Sequence, residues 1–197
     1  MQITDWIRIT PAVTLRNGVP VDCDTSEAPM PTALYRRYIN DYPKFFKMDA
    51  LGKLGFVASE LLLAAEPKQP EREDRAIVLF NRSGSLCNDR HYQATIQEPA
   101  TYFPSPALFV YTLPNIVTGE IAIRHKYYGE TSFYVLDTFR ADIMETVIAA
   151  TLQEPLTTSV LGGWLECSDE AHFDALLFLA KAGDDPSGNH IETIYNQ

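Results

Sequence analysis

The stretch LPNIVTGEIAIRHKYYGETSFYVLDTFRAD, Leu113 to Asp142, restricts the possible folds of this chain more than any other part of it. Pro114 suits a first helical position, where its missing N–H is not needed, and Ile116, Val117, Ile121 and Ile123 continue from it at helical spacing. Gly119 thins one face of that helix, so a neighbour is expected to come close there. Lys126 to Gly129 ends the helix. The run Phe133, Tyr134, Val135, Leu136 is too short for a helix and reads as a buried strand. Asp137 is the expected N-cap of a second helix reaching about Leu152, with Phe139, Ile143, Val147 and Ile148 inward. A strand that runs straight into a helix N-terminus presents free backbone N–H groups and a favourable dipole, a natural site position in α/β proteins.

Around this stretch the pattern alternates in the same way. Ile3 to Ile9 reads as a strand stopped by Pro11. A long connection rich in proline, glycine and charge follows, to about Lys47, with a short helix near Leu34 to Ile39. Asp49 caps a strong helix in which Leu51, Leu54, Ala58, Leu61, Leu62 and Ala65 share a face, and Pro67 ends it. Ala76 to Phe80 is a buried strand, Thr158 to Leu165 another that bends at Gly162 and Gly163, and Phe173 to Ala180 a last one. The order β-α-β-α-β-α-β-β predicts an α/β domain whose mixed sheet is covered by helices, over residues 1–182, with a polar, mobile tail at 183–197.

Composition narrows the function. With 46% hydrophobic and 21% charged residues the chain is globular. A formal net charge of -10 argues against nucleic acid and against anionic membrane surfaces. The N-terminus has neither a basic start nor a long apolar core, no run reaches membrane-spanning length, and a cytoplasmic protein is expected. Cys23, Cys87 and Cys167 show no close-spaced pair, so they read as reduced thiols rather than metal ligands, and no cofactor is expected. Cys87 and His91 lie four apart and would share a helix face, as a thiol–imidazole pair requires; the plainer reading is a small buried cysteine beside a surface histidine.

The segment SPALFVYTLPNIVTGEIAIRHKYYGETSFYVLDTF resembles the N-terminal half of the beta-ketoacyl synthases, members of the thiolase-like superfamily. Pro114, Asn115, Gly119 and Gly129 match the family framework, and the family's nucleophilic cysteine falls at Thr138 or within one residue of it. Asp137, Thr138 and Phe139 are not cysteines, and a threonine hydroxyl needs a strong adjacent base to attack. His125, His172 and His190 fall in none of the family's catalytic motifs and read as ordinary surface or hydrogen-bonded histidines.

The resemblance implies a single thiolase-like half with a five-stranded mixed sheet. It is similar to the chain-length factors, cysteine-less relatives that pair with a catalytic ketosynthase and shape the acyl tunnel, and most of all to short ketosynthase-like proteins of bacterial aryl polyene or flexirubin-type pigment clusters. It therefore implies a non-catalytic partner in a fatty-acid/polyketide-like or aryl polyene pathway, with a full-length ketosynthase and an acyl carrier protein as partners and a homo- or hetero-oligomer as the assembled state. Phe133 and Tyr134 would then contact the dimer partner or the tunnel wall, the alternative being ordinary sheet core. Arg36, Arg37 and Lys44 form one basic patch for an acidic carrier, or else a solvated surface. Two other functions stay open: an acyl-transfer or hydrolytic enzyme using Cys87 or Thr138, and a self-associating structural domain.

Overall fold

Seven consecutive buried residues make the strand at the centre of the parallel part of the sheet. In the computed structural model, which describes residues 1–67, 71–183 and 188–197, this strand is β4 (Arg75–Asn81). It is preceded by β1 (Gln2–Ile9), β2 (Thr14–Arg16), β3 (Val19–Pro20), α1 (Met30–Tyr38) and α2 (Ala50–Leu63). It is followed by α3 (Leu86–Ile96), α4 (Pro106–Val110), α5 (Ile116–His125), β5 (Thr131–Val135), α6 (Ala141–Thr151), β6 (Ser159–Cys167), β7 (Phe173–Lys181) and α7 (Ile191–Tyr195). The strands form one sheet in the order β3-β2-β1-β7-β6-β4-β5. Strands β5 and β6 flank β4 in parallel, and the remaining pairs are antiparallel.

The sheet has seven strands, not five. The two additional ones come from the stretch read as a long connection, where Asn17 (φ 49°) and Gly18 (φ 77°) make a two-residue turn between β2 and β3. An Asn-Gly pair tolerates two positive φ values and is the strongest short hairpin signal a sequence carries. The Asn17 Oδ1 also accepts from the Trp6 N–H at 2.8 Å, which ties the hairpin to β1.

Period-two alternation sends side chains to two cores. Ile77, Leu79, Leu161, Leu165, Leu177 and Leu179 face α1, α2 and α5, whereas Val78, Phe80, Val160, Trp164, Leu176 and Phe178 face α6 and α7. Helix α2 is buried on nearly all sides and begins as expected, with the Asp49 Oδ1 accepting from the Gly52 N–H at 2.8 Å. The start of β4 carries a buried cation: Arg75 is 1% exposed and is held by Glu66 at 2.6 and 2.9 Å, by the Tyr127 hydroxyl at 3.0 Å and by Ser159 at 3.1 Å.

Four local expectations are corrected. The close helix contact forms at Gly55 of α2, where an added Cβ would lie 2.4 Å from Val117 Cγ2; at Gly119 the same carbon would meet nothing within 4 Å. Gly162 and Gly163 put no bulge into β6, whose pairing with β7 runs without a register shift from Val160 to Cys167. They admit close neighbours instead, a Cβ at Gly163 falling 2.2 Å from the Leu176 carbonyl oxygen. Strand β5 is not buried: among the described residues it pairs with β4 alone and forms the sheet edge, leaving Tyr134 39% and Val135 56% exposed. The stretch expected as a polar tail contains α7, whose Ile191 and Ile194 are fully buried.

Candidate functional site

The connection leaving β4 passes through α3 and α4 to α5 on one face of the sheet, while the connection leaving β5 enters α6 on the other face. Two adjacent parallel strands whose outgoing chains part in this way leave a crevice at their carboxyl ends, the usual ligand position of open α/β sheets. By this rule the candidate site lies between Asn81 to Ser85 after β4 and Leu136 to Arg140 after β5.

The β4 side is held firmly. The Asn81 side chain accepts from the Gly84 N–H at 2.9 Å and donates to the Gly84 carbonyl at 2.9 Å. Glu166, at the end of β6, accepts from the Arg82 N–H at 2.8 Å and the Ser83 N–H at 3.2 Å through one carboxylate oxygen. Ser85 Oγ donates to the Thr112 carbonyl at 2.5 Å, joining this loop to the turn before α5. Sequence reading missed Asn81 and Glu166; a polar residue ending an apolar strand was the only available signal.

On the β5 side, Leu136 N–H donates to the Asn81 carbonyl at 2.8 Å. Helix α6 does not follow at once. Asp137 and Thr138 occupy a bend, both exposed, and Arg140 rather than Asp137 is the N-cap. Strand β5 thus does not run straight into the helix, because Phe139 turns inward to stack on Tyr195 at 3.7 Å and to meet the Trp164 ring edge-on at 5.6 Å. The start of α6 carries its own anion: Asp142 accepts from Arg140 at 2.6 and 2.8 Å, a contact that holds its carboxyl at about 2.

The other residues singled out by sequence are dispersed. Cys87 and His91 both line a cleft of about 540 Å³ beside the start of α2. Burial, then the nearby Asp49 and Asp169 carboxylates, push the Cys87 thiol up, the opposite of what an activated thiolate needs. His125 Nε2 lies 3.0 Å from Glu60, His172 Nδ1 lies 2.9 Å from Asp169, and His190 precedes α7. Of the basic patch, Arg37 pairs with Asp22 at 2.9 Å and Lys44 with Glu120 at 2.7 Å, and Arg36 lines a groove with Asp24 and Glu27. Among the described residues no group of three or more His, Cys, Asp or Glu side chains is placed to hold a metal ion. No helix among them is long and apolar enough to cross a membrane.

Exposed apolar side chains occur on β5 and on the connection that leaves β4. Tyr134 and Val135 stand on the open β5 edge, and Tyr134 stacks on Phe80 at 5.2 Å. Leu86 opens α3 and is 45% exposed, and Phe109, Val110 and Leu113 are 53%, 45% and 51% exposed on and after α4. The Ser85–Thr112 bond joins these two groups.

No protein-family model matches the sequence, and no curated protein matches it. Solved structures do. The ishigamide ketosynthase/chain length factor superimposes with a TM-score of 0.68 at 18% identity, over 96% of this chain and 63% of that one. The complex of the ketosynthase ApeO with its chain length factor ApeC from Xenorhabdus doucetiae gives 0.60 at 16% identity, over 92% and 79%. A type II polyketide synthase ketosynthase bound to its acyl-carrier protein, AntDE:AntF, gives 0.57 at 15% identity, over 74% and 50%. This chain spans less than two thirds of the first of these. The parallel β5-β4-β6 core, the α5–β5–α6 arrangement beside it and these superpositions give the chain the thiolase-like fold of the ketosynthases and chain length factors.

Proposed function

We propose that this protein is a chain-length-factor-like partner of a ketosynthase, acting in the cytoplasm in a bacterial fatty-acid/polyketide-like or aryl polyene pathway. The observation that carries this reading is the open β5 edge, with Tyr134 and Val135 exposed beside the crevice at the position where the ketosynthase resemblance places a nucleophile. An exposed apolar sheet edge offers unpaired N–H and C=O groups and is ordinarily covered. A partner strand or helix there would bury Tyr134 and Val135, while Phe133 packs toward α2 and α5. Thr138, exposed in a bend, stands where the resemblance puts the cysteine, which suits a protein that shapes a partner's substrate channel.

The test is co-expression with ketosynthases from the same genome, followed by affinity purification and light scattering. A stoichiometric heteromer is expected, and Val135→Asp should weaken it by about 100-fold or more, since it buries an unpaired charge at the contact. Failure to bind any such ketosynthase or carrier protein at micromolar concentration would overturn the reading. The same edge favours one alternative, self-association: a homodimer that Val135→Asp dissolves and a ketosynthase does not displace.

A further inference from the structure

We propose that the C-terminal helix α7 is a latch that holds the β5–α6 corner in place and, when it undocks, releases that corner while the sheet stays folded. Five residues are too few for a helix to persist alone, so α7 exists through its contacts. Ile191 and Ile194 are fully buried against the α6 face. Tyr195 makes the connection. Its ring stacks on Phe139 with centroids 3.7 Å apart and planes within 10°, its hydroxyl donates to Asp174 Oδ2 at 2.6 Å, and its carbonyl accepts from Arg8 Nε at 3.1 Å. The Arg8 guanidinium lies 4.5 Å over the same ring and also pairs with Asp174. Tyr195 is thus fixed from three directions by strands β1 and β7, and it passes that fixation to Phe139.

The corner has little else to define it. Between the Leu136 N–H bond to Asn81 and the first turn of α6, residues 137–140 have no regular structure, and the one ion pair there, Arg140 with Asp142, is local. Phe139 is the residue of this segment that packs against the core, and its ring contacts are with Trp164 and Tyr195. The conformation of Thr138 next to it therefore depends on whether the last residues of the chain are seated. The latch itself rests on contacts within the chain; its effect on a partner at the crevice rests on the docking reading above.

Amide order parameters of the protein carrying residues 1–197 test this without any partner, so the outcome is separate from that of the docking reading. In the parent protein the amides of Asp137 to Arg140 are expected near the rigid value of about 0.85. In Tyr195→Ala they should fall toward the flexible range below about 0.6, while the β4 amides of Ile77 to Phe80 keep their values. Tyr195→Phe retains the ring stack and should leave the corner closer to the parent. Corner amides unchanged in Tyr195→Ala would overturn the proposal, and so would an equal loss of order in β4, which would make Tyr195 a general stabiliser.

Discussion

Alanine at two helix glycines should move stability in opposite directions. In an exposed or roomy helix position, replacing glycine by alanine stabilises by about 0.8–1.0 kcal/mol, because the backbone loses less entropy on folding. Gly119 of α5 is such a position, with nothing within 4 Å of an added Cβ. Gly55 of α2 is not: the new carbon would lie 2.4 Å from Val117 Cγ2 and 2.8 Å from Leu165 Cδ2. Optimal carbon–carbon separation is about 3.5–4.0 Å, so α5 must retreat by roughly 1 Å. Val117 cannot swing aside because a β-branched side chain has one strongly preferred helical rotamer, and Leu165 is fully buried in β6. Overpacking costs about 1–3 kcal/mol, and with two atoms closer than 3.0 Å the upper half of that range applies; less the propensity gain, this leaves Gly55→Ala destabilised by about 1–2 kcal/mol. The two variants should then differ by about 2–3 kcal/mol, or roughly 5–10 °C in Tm for a domain of this size. Urea unfolding with an unchanged slope reads the difference directly. Gly55→Ala as stable as the parent, or Gly119→Ala clearly less stable, would refute the assignment of the close helix contact.

Two titrating carboxyls give pH-dependent outcomes of opposite sign. Glu60 is largely buried; burial works to raise its pKa, but the His125 ring at 3.0 Å and hydrogen bonds from Arg124 outweigh it and hold the carboxyl at about 2. A folded value below the unfolded one contributes stability above about pH 4.5 that is lost as pH falls toward 2, at most about 3 kcal/mol, so Glu60→Gln should flatten the acid limb of a stability–pH curve. Burial pushes the Asp49 carboxyl up to about 6, against the opposing Gly52 N–H and Lys53. A raised value means the proton-bound fold is favoured: its contribution is full below about pH 3.8 and is lost as pH rises through 6. Asp49→Asn keeps the cap acceptor and should be more stable than the parent at pH 7.5 by about 1 kcal/mol, after allowance for the helix dipole and partial exposure, with the gain gone by pH 4. Lower stability of Asp49→Asn at pH 7.5 would contradict the burial argument.

Much of this molecule was legible in the chain itself. Asp49 before an apolar helix, Pro67 after it, and the unbroken run Ala76–Phe80 are local signals whose physics acts within a few residues, and α2 and β4 appear where those signals put them. The Asn17-Gly18 hairpin is equally local, but it lies inside a proline-rich stretch that reads as a connection. At the candidate site, the sequence located the turn between β5 and α6 but not its form.

What the sequence by itself determined is β1, α2, β4, α5, β5, α6, β6 and β7 in their order, because capping, periodicity and turn chemistry depend on near neighbours. Tertiary structure decided which apolar strand lies at an edge, since Phe133–Leu136 reads the same whether one or two strands flank it. It also decided which glycine admits a helix, since Gly55 and Gly119 differ only in what approaches them from elsewhere in the chain. The same holds for the corner around Thr138: a tyrosine at the far end of the sequence draws Phe139 inward, and no pattern near Phe139 could announce a contact made across 56 positions, from 139 to 195.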